Sequence, residues 1–220
     1  MPSCFRPCLA FLTGVLLLVP PSLAFQSPLS DQAIREAYFL GQRHDESMAR
    51  LLNQYTKLLA APATGPHIYS VTFLTPFALL VEHSSQQSNY SAQQAAKDHH
   101  PEDEIVVIEI QVLLTASYSA VIPTPTSSRS GSPTGYQMRS PDFWKDMNIT
   151  AFDGKKERIP TNLDGEPTYL CHNIGACDLT GATIRLEFPA SVFSSDLATV
   201  EVTPPEGDSA SVDFDLSSLR

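Results

Sequence analysis

The stretch EIVVIEIQVLL, residues 104–114, is what most restricts the fold. Residues 105–112 are dense in Ile and Val, whose branched Cβ atoms stiffen χ1 and suit a pleated surface better than a helix. Glu109 and Gln111 alternate with Ile108, Ile110 and Val112. That period of two predicts a strand with one face in a core and one meeting solvent. Such a strand needs neighbours, and the downstream chain supplies them. ATIRLEF sets Ile184, Leu186 and Phe188 against Arg185 and Glu187. ATVEVTPPEGDSASVDFDL reads as two alternating strands around a Pro-Gly turn, with Val200, Val202, Val212, Phe214 and Leu216 facing inward. NITAFDGKKERIP places Asp153-Gly154 at a hairpin tip, and NLDGEPTYL offers a second Asp-Gly turn at Asp164-Gly165.

The upstream chain has a different period. In residues 25–65, Ser30 precedes a stripe running through Ile34, Tyr38, Gly41, Asp45, Met48, Leu52, Tyr55 and Leu59. Steps of three and four predict a capped amphipathic helix, bent or broken near Gly41, that covers one face of a sheet. HIYSVTFL is a strand ended by Pro76, FALLVEH is a short apolar run of either kind, and SAQQAAKD is a brief helix capped by Ser91. Residues 122–136, IPTPTSSRSGSPTGY, are too poor in apolar side chains to order themselves and read as a flexible loop. The fold class expected is therefore α+β. A helical segment (25–65) precedes a mainly antiparallel sandwich or small barrel, with a strand-rich half at 66–121 and a second β-rich half at 137–220.

The first residues bear on destination. Leu9–Val19 is largely apolar, Pro20 and Pro21 end it, and Ser22-Leu23-Ala24 has small residues at the positions before a cleavage point. This is the layout of a signal peptide spanning 1–24. A membrane helix needs about twenty apolar residues, so no span is expected once the leader is gone. The chain has a formal net charge of −10, and loss of Arg6 with the leader makes the remainder more negative. That balance opposes binding to phosphate backbones and to anionic lipid, so nucleic acid is not an expected partner. The expected location is extracytoplasmic: periplasm, wall or medium.

Few constellations carry chemistry. Cys171 and Cys177 are six positions apart, which is neither a Cys-x-x-Cys redox motif nor a paired zinc-ligand spacing. In an oxidising compartment they are expected to form a disulfide, contributing about 2 kcal/mol on the loop-closure argument. His99 and His100 beside Glu102, Asp103 and Glu104 offer a weak metal-binding alternative, although adjacent histidines lack the spacing that puts two ligands on one helix face. Serine-nucleophile and EF-hand motifs are absent. Glu82, Glu109, Glu187 and Glu201 all fall on expected strands and could contain a hydrolytic pair. Tyr136, Phe143 and Trp144 form the aromatic cluster best suited to a contact surface. The reading is an exported, non-catalytic binding or structural protein with no cofactor and an unknown extracytoplasmic partner. A secreted hydrolase and a weak metal binder are the alternatives.

Overall fold

The computed structural model describes residues 25–124, 135–172 and 175–220. The expected leader (1–24) and the middle of the expected loop (125–134) lie outside the described residues. In chain order the helices are α1 (Asp31–Gly41), α2 (Glu46–Gln54), α3 (Pro76–Gln86) and α4 (Ala92–Asp98). The strands are β1 (Thr56–Leu58), β2 (His67–Leu74), β3 (Ile105–Leu113), β4 (Val121–Thr124), β5 (Gly135–Met138), β6 (Asn148–Asp153), β7 (Lys156–Arg158), β8 (Asn162–Cys171), β9 (Cys177–Pro189), β10 (Leu197–Thr203) and β11 (Ala210–Asp215).

The strong strand of the sequence is β3, at the centre of a sheet ordered β1-β2-β3-β9-β8. A second sheet runs β11-β10-β6-β7, and every pairing in both is antiparallel. Both sheets are open, so the architecture is the sandwich of the two expectations and not the barrel. Ile108 sits opposite Phe73 and Leu186, and Ile110 opposite Val71 and Ile184. All six are buried, and they share one core with Ala151, Val200, Val202 and Phe214 of the second sheet. Phe73 meets Phe214 at 5.5 Å and Phe193 at 5.1 Å between ring centroids, within the range where aromatic pairs add to simple burial.

The other face of the first sheet is only partly covered. Leu74 and Val107 pair directly and are buried, and α3 packs on β2 and β3. Helix α3 begins where Thr75 accepts the Ala78 N–H and Pro76 occupies the first turn, a position needing no N–H donor. Helix α1 packs on α3, and α4 on α1, in a smaller apolar cluster containing Ala33, Ile34, Ala37, Phe77, Val81 and Ala95. Gly41 is what permits the α1–α3 contact, because a Cβ there would lie 2.3 Å from the Val81 carbonyl oxygen. The turn after α1 then finishes α3. Gln42 donates to the Ser84 carbonyl, and His44 places its ring nitrogens 3.0 and 2.8 Å from the Gln42 and Ser85 carbonyl oxygens. Only the doubly protonated ring can donate to both, and these bonds raise its pKa above the ordinary value.

Three elements differ from the sequence expectation. The helical stripe stops at Gln54, and Thr56–Leu58 of the expected helical segment is instead β1, paired with β2 at the edge of the first sheet. Asp164-Gly165 is not a turn: it lies inside β8, with Gly165 opposite Ile184. A Cβ at Gly165 would sit 2.5 Å from the Trp144 ring, so the glycine makes room for an indole on the core side. The ends of the expected loop are also ordered, since β4 and β5 pair as a separate two-stranded ribbon.

The β6–β7 hairpin is tied down by a buried carboxylate. Asp153 accepts from the Arg158 guanidinium at 2.5 Å, from the Ser195 N–H at 2.7 Å and from the Ser194 N–H at 3.2 Å. Burial alone would raise its pKa, but these donors outweigh that and hold it below its ordinary value. Removing the carboxylate would strand a mostly buried guanidinium and two N–H groups. Asp153→Ala is expected to lower the unfolding free energy by about 3 kcal/mol in urea titration, and an unchanged midpoint would refute this role.

Candidate functional site

The open part of the first sheet's outer face forms a groove beneath α3. Alternation from Val107 puts Glu109 and Gln111 on this face, with Arg185 opposite Glu109 on β9 and Asp164 opposite Arg185 on β8. Arg185 also reaches Glu187 along its own strand at 3.2 Å. One guanidinium therefore faces carboxylates of three strands. Helix α3 adds Glu82 and His83 from above, and a cavity of about 380 Å³ is lined by Leu79, Glu82, His83, Gln86, Ile105 and Arg185. A second hollow of about 240 Å³ shares Leu79, His83 and Ile105 with it and continues to His99, His100 and Glu104.

Electrostatics separate the acids of this groove. Glu109 is half-buried and held above its ordinary value of 4.5, first by desolvation and then by the nearby Glu82 charge, with Arg185 opposing both. Glu104 differs in its contacts. Its side chain is 3% exposed and every direction is occupied. It accepts from the Ser27 hydroxyl at 2.6 Å, the Leu29 N–H at 2.6 Å and His99 Nε2 at 2.8 Å. Ser27 donates to the carboxylate and not to the imidazole, so these three residues do not form a nucleophile–base relay. Glu104 is a clasp that holds the segment before α1 against the sandwich.

The structure distributes the residues singled out in the sequence. Cys171 and Cys177 are direct partners across the end of the β8–β9 hairpin and are joined by a disulfide. His172 meets Asp178 at 2.9 Å on the exposed surface beside it. Both His99 and His100 line the smaller hollow, but His99 is committed to Glu104. Among the described residues no three His, Cys, Asp or Glu side chains converge as a metal site. Of the four glutamates, Glu82 is on helix α3 and not on a strand. Glu109 lies on the sheet face beneath it, Glu187 borders Arg185, and Glu201 is on β10 of the other sheet.

The aromatic trio is divided. Phe143 and Trp144 are buried at 2% and 6% exposure, Phe143 against Tyr118 and Trp144 over Gly165. Tyr136 is 73% exposed on β5. Register sets Val121 opposite Met138 and Pro123 opposite Tyr136, so these four side chains share one face of the β4–β5 ribbon. All four are exposed. The sequence reading missed Arg185 as the centre of the groove and Glu104 as a clasp. Arg185 had a signal in its alternation within ATIRLEF, whereas Glu104 had none beyond its place beside a strand. No helix among the described residues is long and apolar enough to cross a membrane. No protein-family model and no curated protein matches the chain.

A glutamate with a raised folded pKa binds its proton more tightly folded than unfolded, so stability should fall as pH climbs from about 4.5 through the raised value. Glu109→Gln should remove that slope from urea-derived stabilities across this window. An identical slope in the variant would show that Glu109 is not its source.

Proposed function

We propose that the chain is an exported, non-catalytic binding protein whose contact surface is the β4–β5 ribbon. The supporting observation is the ribbon's exposed apolar face, Val121, Pro123, Tyr136 and Met138, on a two-stranded element that has no third strand among the described residues. Isolated hairpins gain little from their own packing, and contiguous apolar surface on a soluble chain marks interaction sites. The described residues of the ribbon carry no charge, in a chain of net charge −10, so a neutral or apolar partner meets no field to overcome there. The leader-like N-terminus and the disulfide both fit an extracytoplasmic destination. A photo-crosslinking residue at position 136 should give a discrete adduct in the exporting cell. The same residue at position 159, where Ile159 is 83% exposed on another surface, should not. Matching adduct patterns, or none at 136, would reject the ribbon as the contact.

A second reading has its own support. Glu82 lines the groove, Glu109 lies on the sheet face beside it within reach of the Glu82 charge, and the environment of Glu109 favours the protonated form. A carboxylic acid kept protonated near a second carboxylate is the arrangement of acid–base hydrolysis. If the groove hydrolyses glycosides, Glu109→Gln should cut turnover of a reactive aryl glycoside by about 10²-fold or more while the fold persists. Wild-type protein without turnover across a panel of such glycosides would exclude this reading.

A further inference from the structure

The segment leading into α1 ends in the core. The Phe25 side chain is buried with the sandwich residues, and Ser27 and Leu29 are both fastened to Glu104. Beside this segment lies a cavity of about 610 Å³, lined among others by Phe25, Ser27, Glu102, Glu104, Ser191 and Phe193. Its two acids are not equivalent. Glu104 is saturated by three donors, whereas Glu102 has no hydrogen-bond or ion-pair partner among the described residues. This exposed, unpaired carboxylate thus lines the same cavity as Phe25.

The sequence expectation puts the leader's end directly before this residue. We propose that hydrolysis of the Ala24–Phe25 bond supplies a cation for this carboxylate, and that the freed α-ammonium of Phe25 docks in this cavity against Glu102. In that step a signal-removing protease adds water across the peptide bond. The Ala24 carbonyl carbon takes the hydroxyl and leaves as a carboxylate, and the Phe25 nitrogen takes the proton and becomes an ammonium. The buried ring fixes the position of the new terminus, and the Glu104 clasp fixes the direction of the chain behind it. Leader removal then also adds a contact to the fold, because it creates a charged group beside a cavity that holds an unpaired carboxylate. This rests on the export reading given above.

The test is a thermal cycle on four proteins: residues 25–220 with a free amine at Phe25, the same chain preceded by Gly-Ser-Ala, and both again with Glu102→Gln. The free-amine form should melt about 2–4 °C above the extended form, the shift expected in a chain of this size for one partly exposed ion pair. That difference should vanish in the Glu102→Gln pair. Equal melting temperatures in the first pair, or an undiminished difference in the second, overturn the docking. N-terminal sequencing of the exported protein separates the two ideas. An intact Met1 defeats the export reading, whereas Phe25 at the terminus with a flat thermal cycle defeats the docking alone.

Discussion

Strand β3 is held on four sides. Its edges are bonded to β2 and β9, its core face packs through Ile108 and Ile110 toward the second sheet, and Val107 lies beneath α3. Each of these contacts needs the strand in one register, because a slip of one residue would turn Glu109 and Gln111 into the core. The second sheet and the helical layer meet near the chain's end, where Arg220 reaches Glu36 and Phe77. Both are organised by the two faces of this strand, and the groove exists because α3 covers only one end of the outer face.

Buried carboxylates do two kinds of work in this fold. Asp153 and Glu104 are surrounded by donors and fix backbone: the first joins the β6–β7 hairpin to Ser194 and Ser195, the second joins the N-terminal segment to the sandwich. Glu109 lacks such donors and is left with a neighbouring charge and partial burial, which is why its proton is held more tightly. Saturated acids stabilise a structure, and unsaturated ones remain available to a ligand.

Elements defined by alternation were legible in the sequence. The inward sets Ile184, Leu186, Phe188 and Val200, Val202, Val212, Phe214, Leu216 are all buried as the period of two requires. Local capping was legible too, since Ser30 and Ser91 start α1 and α4 through their own side chains. What the sequence concealed depends on distant partners. Asp164-Gly165 has turn chemistry, yet the indole of Trp144, far upstream in the chain, needs the space over Gly165 and the pair stays in a strand. FALLVEH is too short for its period to decide, and the Thr75 cap with Pro76 made it a helix. Phe143 and Trp144 looked available for contact because aromatic side chains serve cores and surfaces alike, and only packing tells which.

The outer edge of β8 has a consequence for the life of the molecule in solution. Pro167 has no N–H and pairs with Ala182, so its row of backbone groups, shared by Gly165 and Leu163, points away from the sheet. Within that row the Gly165 N–H is already taken at 2.8 Å by the carboxylate of Asp164. A chain arriving to extend the sheet finds one donor missing, a second occupied, and Asp164 and Glu166 at the rim. Ten residues of exposed strand would otherwise be a template for runaway association. Here a proline and an aspartate close this edge of the five-stranded sheet, so that copies of the chain find no regular seam along β8 on which to zip together.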